Sequence, residues 1–562
     1  MRRTRTVLFA PIAAVALLAA GCTGTAEPAP APDGPVETRV PEQELTVLAA
    51  GEDAESESVA ASAALFAGSP AAVVAPADDP AAQVGAASVA VHLRVPLLLD
   101  DGERGEDDPL LSELDRLGAG FVLALGVDGP ASDGEDAASD ALGEGRDLTS
   151  VPLDRGRLQE LLGDDVELVE AGDAPVAGLA ALDDGTALID SATPEAGDDG
   201  SSRAPLPPLD GIEAGEPLGD VTGVATEEAA SVPAVATARA AGVPITVLAA
   251  DAPNPQDSPD AIAALSADGV TTRLAIGPAL AAERQLEWKV ASSATGAQLP
   301  GGGQRMFPDH MMVAMYGTPG APVLGILGEQ DVEASVARAA GYAAQYQPLT
   351  DRTVIPAFEI IATVASGSAG GDGNYSNELD AEAFVPWIEA AGAAGQYVVL
   401  DLQPGRSDFL EQAKALEPLL RYPWVGLALD PEWRLGPDQT HLVQIGSVGA
   451  DEVNRVGDWL AELTVAHDLP PKLFVLHQFR YSMLPDRERI VTDRPELETL
   501  VHIDGQGGQP AKQATWGALT QETEQQDFWW GWKNFIDEDQ PMLTPQETMT
   551  QVSPTPDLIT YQ

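Results

Sequence analysis

Short apolar runs alternate with alanine-rich stretches through the first half of the chain. Four runs have the length, Val/Leu content and flanking Gly, Pro or Asp of strands: LTVLAAG (45–51), AAVVAP (71–76), VPLLLD (95–100) and FVLALG (121–126). The stretches between them have helical periodicity, as in DPLLSELDRLGAG, whose leucines share one face. Strands that alternate with helices predict a doubly wound parallel sheet, and so an α/β region.

From about residue 308 the apolar runs become longer and end in polar residues. They predict strands at 311–319, 353–364, 396–405, 424–433, 472–479, 499–507 and 527–537, with a last one at the C-terminus. Helical stretches fill most of the gaps. Seven or eight strand–helix units in about 250 residues predict one TIM-type (β/α) barrel.

An internal repeat and the placement of aromatic residues divide the chain. Val95-Pro96 and Gly126 have counterparts in Val243-Pro244 and Gly277, which indicates two copies of one unit. All nine Trp and all eight Tyr occur from Trp288 onwards, so two kinds of domain meet near residue 290. The predicted divisions are a signal peptide (1–21), a disordered tether (22–44), a repeat region (45–290) with an acidic insertion at about 171–232, a linker (291–307) and the barrel (308–562).

The repeat region resembles the type 2 cell-wall-binding repeat of Gram-positive surface proteins. The resemblance rests on AAVVAPADDPAAQVGAASVAVHLRVPLLLDD through FVLALG, and GEDAESESVA stands where the family has an Arg-Tyr pair. It implies attachment to the wall through anionic polymers. Because the chain carries a formal charge of -58, such attachment needs bridging cations or a local basic groove. The alternative is a scaffold that holds the second domain away from the membrane.

The N-terminus has the pattern of an export signal. MRRTRTVLFAPIAAVALLAAG places three arginines before a short apolar run that ends in small residues. The stretch Leu18-Ala19-Ala20-Gly21-Cys22 resembles the bacterial lipobox, which implies lipid attachment at Cys22, the only cysteine. The expected location is the outer face of the cytoplasmic membrane or the cell envelope, with the membrane as a partner through the lipid.

Charge and composition narrow the partners further. The strong negative charge argues against nucleic acid or an anionic lipid surface as a contacted partner. With Cys22 lipidated, neither disulfides nor cysteine-ligated metals are expected. No P-loop, serine elbow or dinucleotide fingerprint appears, so we predict no cofactor. The sequence leaves the oligomeric state open.

Polar side chains gather where the barrel strands end. In a parallel barrel these ends meet at one rim, where the chemistry of such folds is found. The residues are Glu359, Asp401, Gln403, Asp430, Glu432, His477, Gln478 and Asp504. An apolar strand that ends in a carboxylate, repeated on several strands, favours a functional site.

Asp430 and Glu432 are the candidate catalytic pair. Two residues apart in a strand, they could face the same side, where proximity raises the pKa of one of them. A glycosidase needs this arrangement, with Glu432 as general acid and Asp430 or Asp401 as its partner. The spacing resembles the Asp-x-Glu ending of chitinase-type barrels, although Gly426 occupies an upstream Asp position. Alternatively, Asp430 caps the loop while Glu432 pairs with Arg434 or Arg406.

Further residues are predicted to hold a sugar. Asp504 and Gln478 would orient it, with Glu359 and Gln403 beside them. Trp433, Trp516 and Trp532 lie near strand ends and could stack on sugar rings, as could Trp529 and Trp530, although core packing explains aromatic residues equally well.

A metal site is the weaker interpretation of two histidines. His477 and His502, with Asp504 and Asp401, could hold a divalent metal, but His477 joins such a set only if both strands end level. Core histidines are the favoured interpretation, and we predict no metal.

The barrel half resembles a poorly characterised barrel of lipoproteins from high-GC Gram-positive bacteria. YGTPGAPVLGILGE, DLQPGRSDFL and ALDPEW carry this resemblance, which implies fold and location but no activity. Together, these features predict an envelope-anchored lipoprotein whose barrel resembles glycoside hydrolases and acts on a cell-wall or extracellular glycan. The rival hypothesis is a non-catalytic scaffold or receptor for glycan or peptide.

Overall fold

The structure is a computed structural model with two α/β parts. It describes residues 33–49, 51, 53–105, 108–127, 141–195, 206, 208, 209, 211–521 and 527–562. The predicted signal peptide and Cys22 lie outside the described residues, as do parts of the predicted tether and acidic insertion.

The N-terminal part contains two four-stranded parallel sheets. Their strands, in chain order, are β1 (Leu45–Leu48), β2 (Ala71–Pro76), β3 (Leu97–Asp100), β4 (Phe121–Leu125), β5 (Asp147–Val151), β6 (Val221–Thr226), β7 (Ile245–Leu248) and β8 (Thr272–Ile276). The first sheet has the order β3-β2-β4-β5 and the second has β7-β6-β8-β1. The predicted parallel sheet arrangement of this region is confirmed.

The first strand of the chain belongs to the second sheet. β1 pairs with β8, with Leu45 opposite Arg273, in the position that β5 takes beside β4 in the first sheet. The two sheets therefore have the same strand order, but the second one is completed by residues that precede the first.

Helices cover these sheets, and aspartates begin several of them. The helices are α1 (Ala54–Leu65), α2 (Pro80–Leu93), α3 (Pro109–Leu117), α4 (Arg155–Leu162), α5 (Pro175–Ala180), α6 (Val232–Ala240), α7 (Pro259–Leu265), α8 (Pro278–Ala281) and α9 (Leu286–Ala294). Asp53, Asp79, Asp108 and Asp154 each accept a backbone hydrogen bond at a helix N-terminus, which satisfies donors that the helix leaves free. Part of the acidic composition is used in this way.

Short strand pairs surround the two sheets. Glu167–Glu170 pairs in parallel with Thr186–Ile189, and the second of these lies within the predicted insertion. Gly34–Pro35 pairs with Ile212–Glu213, and Glu37–Thr38 pairs with Phe66–Gly68. Residues 34–38 of the predicted tether are therefore paired with the N-terminal part.

The C-terminal part is a closed barrel of eight parallel strands. They are β9 (His310–Gly317), β10 (Thr353–Ala365), β11 (Tyr397–Leu402), β12 (Val425–Leu429), β13 (Lys472–His477), β14 (Leu497–Ile503), β15 (Trp529–Asn534) and β16 (Leu558–Tyr561). Each strand pairs with the next, and β9 pairs with both β10 and β16, which closes the ring. The prediction of a closed parallel barrel is confirmed.

Helices lie outside the barrel in most connections. They are α10 (Val332–Tyr346), α11 (Val385–Ala393), α12 (Phe409–Ala415), α13 (Glu417–Leu420), α14 (Ala450–Ala466), α15 (Gln509–Gln521) and α16 (Pro545–Gln551). Between β13 and β14 the structure has only the 3-10 turns Tyr481–Met483 and Arg487–Arg489. A short strand, Ser376–Glu378, runs antiparallel to the end of β10.

Alternate residues of each barrel strand point inward, and most of the interior is apolar. The interior cluster includes Met312, Ala314, Ile355, Ala357, Tyr397, Val399, Ala428, Leu473, Val475, Leu500 and Leu558. At the amino ends of the strands, Glu498 accepts backbone hydrogen bonds from Met306 at 2.7 Å and Phe307 at 2.8 Å. The segment that enters the barrel thus closes its lower end, and polar inward positions are left to the other end.

Trp288 links the two parts of the molecule. This residue of α9 is buried, and its indole nitrogen donates to the carbonyl oxygen of Leu469 in the barrel part at 3.0 Å. Among the helices that the structure describes, none combines the length and the apolar character needed to span a bilayer.

Replacing Gly426 by alanine should destabilise the barrel. A Cβ at Gly426 in β12 would lie 2.5 Å from the backbone oxygen of Leu473 in β13, so the strands must move apart. We expect Gly426→Ala to lower the free energy of unfolding by about 1–3 kcal/mol, measured by tryptophan fluorescence in urea. The control is Gly341→Ala in α10, where a Cβ meets nothing within 4 Å and should stabilise by about 0.5–1 kcal/mol. Equal effects at both sites would contradict the packing of β12 on β13.

Candidate active site

A ring of polar side chains fills the barrel at the carboxyl ends of its strands. One residue comes from each strand or from the position just after it; we call this set the polar ring: Tyr316, Glu359, Asp401, Asp430, His477, His502, Lys533 and Thr560. All eight are at most 3% exposed. Each lies two residues after an inward-facing residue of the same strand, so the side chains of the ring also point inward. At this level of the barrel the inward-facing residues change from apolar to polar, and most of the polar ones are ionisable.

His477 lies at the centre of the hydrogen bonds in the ring. Its Nδ1 is 2.9 Å from Asp504 Oδ2, and its Nε2 is 2.8 Å from Glu359 Oε1 and 3.9 Å from Asp401 Oδ1. Burial alone would lower the pKa of His477, but the three carboxylates raise it well above its ordinary value. Both ring nitrogens therefore donate, and His477 is an imidazolium that offsets part of the acidic charge.

Glu359 bridges the two histidines. Its Oε1 lies 3.7 Å from His502 Nδ1 as well as 2.8 Å from His477. Burial would raise the pKa of Glu359, but His502 and His477 lower it below its ordinary value. The other nitrogen of His502, Nε2, is 3.0 Å from the hydroxyl of Thr560, and burial lowers the pKa of His502.

Asp401 is held by a tyrosine. The hydroxyl of Tyr316 donates to Asp401 Oδ2 at 2.8 Å, and Gln403 donates to the same hydroxyl at 3.3 Å. Burial raises the pKa of Asp401 to about 6, although His477 opposes this shift. The ammonium group of Lys533 sits 3.4 Å from the centre of the Tyr316 ring, which places a cation at the edge of the site.

Asp430 belongs to the ring and also caps a turn. β12 ends at Leu429, and Pro431–Trp433 form a 3-10 turn. Asp430 Oδ1 accepts from the backbone nitrogen of Glu432 at 3.0 Å, as the capping alternative predicts. Burial raises the pKa of Asp430 well above its usual range, and the charges of Asp401 and Asp504 add to this shift against the opposing effect of His477.

Glu432 faces a groove on the outer side of the ring. The groove has a volume of about 330 Å³ and is lined by Glu432, Trp433, His441, Leu442, Val443, Gln444, Ile445 and Arg480. Arg434 forms a two-pronged contact with Glu452 at 3.0 and 3.2 Å, and Arg406 donates to the carbonyl oxygen of Gln439. Both arginines therefore have other partners, and the alternative pairing of Glu432 with Arg434 or Arg406 is not formed.

The pKa of Glu432 suits proton transfer at neutral pH. Burial and the nearby charge of Asp504 raise it to about 7, against the opposing effect of Lys533. A carboxyl with this pKa is about half protonated at pH 7 and can both give and take a proton. It is also the acidic group that opens to the groove.

Aromatic residues form the rim of the groove. His441 contacts Trp433 with ring centres 5.3 Å apart, and its Nε2 is 2.8 Å from the carbonyl oxygen of Tyr375. The guanidinium of Arg406 lies 4.5 Å from the centre of the Tyr375 ring. At the tip of the same loop, Leu442 is 90% exposed and Val443 is 76% exposed.

Two glutamines and two tryptophans among the other predicted site residues are buried within the protein. Gln403 and Gln478 are buried and bonded within the protein, Gln478 to Arg487 at 2.6 Å. Trp516 and Trp532 are each 1% exposed and pack edge to face, 5.5 Å apart, in the outer core. Trp532 points away from the barrel interior because it is one residue out of step with Lys533. Of the three predicted tryptophans, Trp433 lies in the groove.

Three members of the polar ring are not predicted from the sequence. Tyr316, Lys533 and Thr560 are single polar residues inside apolar strands, so no cluster marked them. Their signal was the two-residue alternation itself: Met312, Ala314 and Tyr316 point to the same side, as do Gly531 and Lys533.

The raised pKa of Glu432 predicts a pH-dependent stability. Between about pH 4.3 and pH 7 the carboxyl of Glu432 keeps its proton in the folded protein, whereas the same carboxyl in the unfolded chain has lost it. The stabilisation is therefore complete below pH 4.3 and is lost as pH rises through 7. Glu432→Gln removes this loss, so its free energy of unfolding relative to wild type should rise by about 1–3 kcal/mol between pH 4 and pH 8, measured by urea titration of tryptophan fluorescence.

Glu462→Gln is the matched control, because Glu462 is an exposed residue of α14. It should change stability little at either pH. A Glu432→Gln difference that stays constant from pH 4 to pH 8 would mean that this carboxyl is not held in a desolvated position.

The solved structures to which this chain is similar include two proteins of Clostridium difficile. No protein-family model matches the sequence, and the comparison with curated proteins finds no match. The chain is similar to Cwp6 from Clostridium difficile, with 13% identity and a TM-score of 0.33, over 60% of this chain and 67% of that one. It is also similar to Cwp8 from Clostridium difficile, with 14% identity and a TM-score of 0.32, over 46% of this chain and about half (53%) of that one.

Proposed function

We propose that the barrel is a hydrolase of cell-wall or extracellular glycan, with Glu432 as the proton donor. The observation that carries the proposal is the position of Glu432: it lines the groove, and its carboxyl has a pKa of about 7. A leaving sugar oxygen needs a proton from such a group.

Asp504 is the partner that the geometry favours. Its Oδ2 accepts from His477, while its buried Oδ1 has no hydrogen-bond partner among the described residues and so keeps its capacity to accept a bond. Asp430, the partner first expected, uses Oδ1 to hold the turn that carries Glu432. Asp401 is engaged by Tyr316 on its other oxygen. Asp430 and Asp401 then contribute to the electrostatic potential around the reacting groups.

The groove fits a sugar better than an apolar ligand. Trp433 offers a flat face beside Glu432, and Arg480 and Gln444 supply hydrogen-bond donors in the same groove. Sugar recognition combines an aromatic face with polar groups in this way. The strongly negative chain disfavours polyanionic substrates.

We also propose that the protein is anchored in the cell envelope through lipid on Cys22. The support is the sequence before Cys22, with its arginines, apolar run and small residues. The barrel would then act outside the cytoplasm, where glycan is present. The N-terminal sheets stand between the anchor and the barrel along the chain.

Hydrolysis can be tested with purified mature protein and wall glycan. Wild type should release reducing ends, and Glu432→Gln should lower the rate by about 100-fold or more, since a general acid contributes about 10²–10⁴-fold. The wild-type rate should fall as pH rises above 7, where Glu432 loses its proton. Reducing ends are measured over pH 5–9.

Glu462→Gln serves as the control and should retain the wild-type rate. If wild type binds the glycan but releases nothing, the protein is a receptor, as the rival hypothesis holds. If Glu432→Gln releases reducing ends as fast as wild type, Glu432 has no part in the reaction.

The anchor is tested by replacing Cys22. The Cys22→Ala chain should appear in the soluble fraction, while wild type stays with the membrane, because the acyl chains supply the membrane affinity. Fractionation of cells expressing each chain, with metabolic labelling by a radioactive fatty acid, gives the measurement. Label retained by Cys22→Ala would place the lipid on another residue or remove it from the proposal.

A further inference from the structure

We propose that the polar ring binds a divalent transition-metal ion of the Zn²⁺ class through His477 Nε2, His502 Nδ1 and Glu359, with Asp401 beside the site. The inference deepens the proposed function and rests on it for the role of the metal, but the binding itself is independent of glycan. It also revises the expectation that the barrel holds no metal.

The two histidines satisfy the condition on which a shared site depends. β13 and β14 end level, because His477 lies directly opposite His502 in the strand register. Their ring centres are 4.8 Å apart. Gly531 in β15 makes room for His502, since a Cβ at Gly531 would lie 2.7 Å from His502 Cδ2.

Distances between the candidate ligand atoms fit one small cation. His477 Nε2 is 2.8 Å from Glu359 Oε1 and 3.9 Å from Asp401 Oδ1, and His502 Nδ1 is 3.7 Å from Glu359 Oε1. Bonds of about 2.0–2.1 Å in a tetrahedron place ligand atoms about 3.3–3.4 Å apart. The atoms of His477, His502 and Glu359 all lie within 4.8 Å of one another, so side-chain shifts bring these three to that spacing.

Unpartnered atoms point to a missing ligand. His502 Nδ1, Glu359 Oε2 and Asp401 Oδ1 are buried and have no hydrogen-bond partner among the described residues. A buried polar atom without a partner costs about 1–3 kcal/mol, and more when it is charged. These three atoms come from three strands of one ring, and a cation held by the histidines and Glu359 would place positive charge beside them.

The opposite side of each ligand is already fixed. Asp504 accepts from Nδ1 of His477, Thr560 contacts Nε2 of His502, and Tyr316 donates to Oδ2 of Asp401. Such outer contacts orient metal ligands and set the histidine tautomer. The ring thus has the two shells of a built metal site.

Charge also favours a cation. Three carboxylates lie within 4 Å of His477, and Lys533 adds one positive charge at the edge of the ring. A metal that replaces the proton on His477 Nε2 raises the positive charge by one and leaves the lysine in place. Two imidazole nitrogens with a carboxylate oxygen select zinc, cobalt, manganese or iron rather than calcium or magnesium. Bound water at such an ion is a ready nucleophile in hydrolysis.

Metal binding is tested on the full mature chain after treatment with a chelator. Titration with Zn²⁺ should show one site per chain, and Co²⁺ should give visible absorption bands of a low-coordinate site with mixed nitrogen and oxygen ligands. His502→Ala and Glu359→Gln should abolish the bands. Asp504→Asn should weaken Zn²⁺ binding by about 10–100-fold, because it removes an outer contact.

His467→Ala is the matched control, because His467 is exposed at the end of α14, and it should bind Zn²⁺ like wild type. Tryptophan fluorescence shows whether each variant is folded. The Co²⁺ spectrum of wild type tests the metal site without any substitution. Absence of a Co²⁺ band in wild type, or Zn²⁺ binding unchanged in folded His502→Ala and Glu359→Gln, would overturn the inference.

Glycan assays separate this inference from the proposed function. One-site metal binding without release of reducing ends supports the metal site and removes the hydrolase. Full glycan hydrolysis by chelator-treated protein that shows no Co²⁺ band keeps the hydrolase and removes the metal.

Discussion

The hydrogen bonds of His477 to Asp504 and Glu359 hold together charges that would otherwise repel one another. Burying one ionised carboxylate costs several kcal/mol unless it is paired, and this barrel buries four on neighbouring strands. His477 contacts three of them and is itself fully buried. Tyr316 also donates to Asp401, and burial raises the pKa of Asp430, the fourth carboxyl, above its usual range. The arrangement is a balance of charges, in which the state of each group depends on the others.

Barrel closure is what brings these groups together. Every strand must send alternate side chains inward, and the interior becomes too narrow for large residues at every level. Gly531 leaves the space into which the imidazole of His502 fits. The apolar layers below exclude water from one side, and the loop that carries Trp433 and His441 covers the other side in part. His477 is therefore fully buried, whereas Glu432 lines the groove.

The sequence predicted the barrel and the acidic strand ends because both are local patterns. An apolar run that ends in Asp or Glu is visible without coordinates, and Asp401, Asp430, His477 and Asp504 were found in this way. Tyr316, Lys533 and Thr560 were missed because their meaning depends on strands that are distant in sequence. Trp532 was placed near the mouth by its position along the strand, but the side to which it points assigns it to the outer core, and Trp516 reaches the same core from α15. The level ends of β13 and β14, on which a shared histidine site depends, are set by pairing register alone.

The position of β1 has a consequence for how the molecule assembles. Leu45 pairs with Arg273, so the second sheet joins segments roughly 230 residues apart, and contacts this distant slow the folding of a domain. During synthesis from the N-terminus, β1 lacks its partner strand until residues 272–276 have emerged. Its pairing is therefore a late step, and a chaperone that shields extended segments would have a long interval in which to bind residues 45–48.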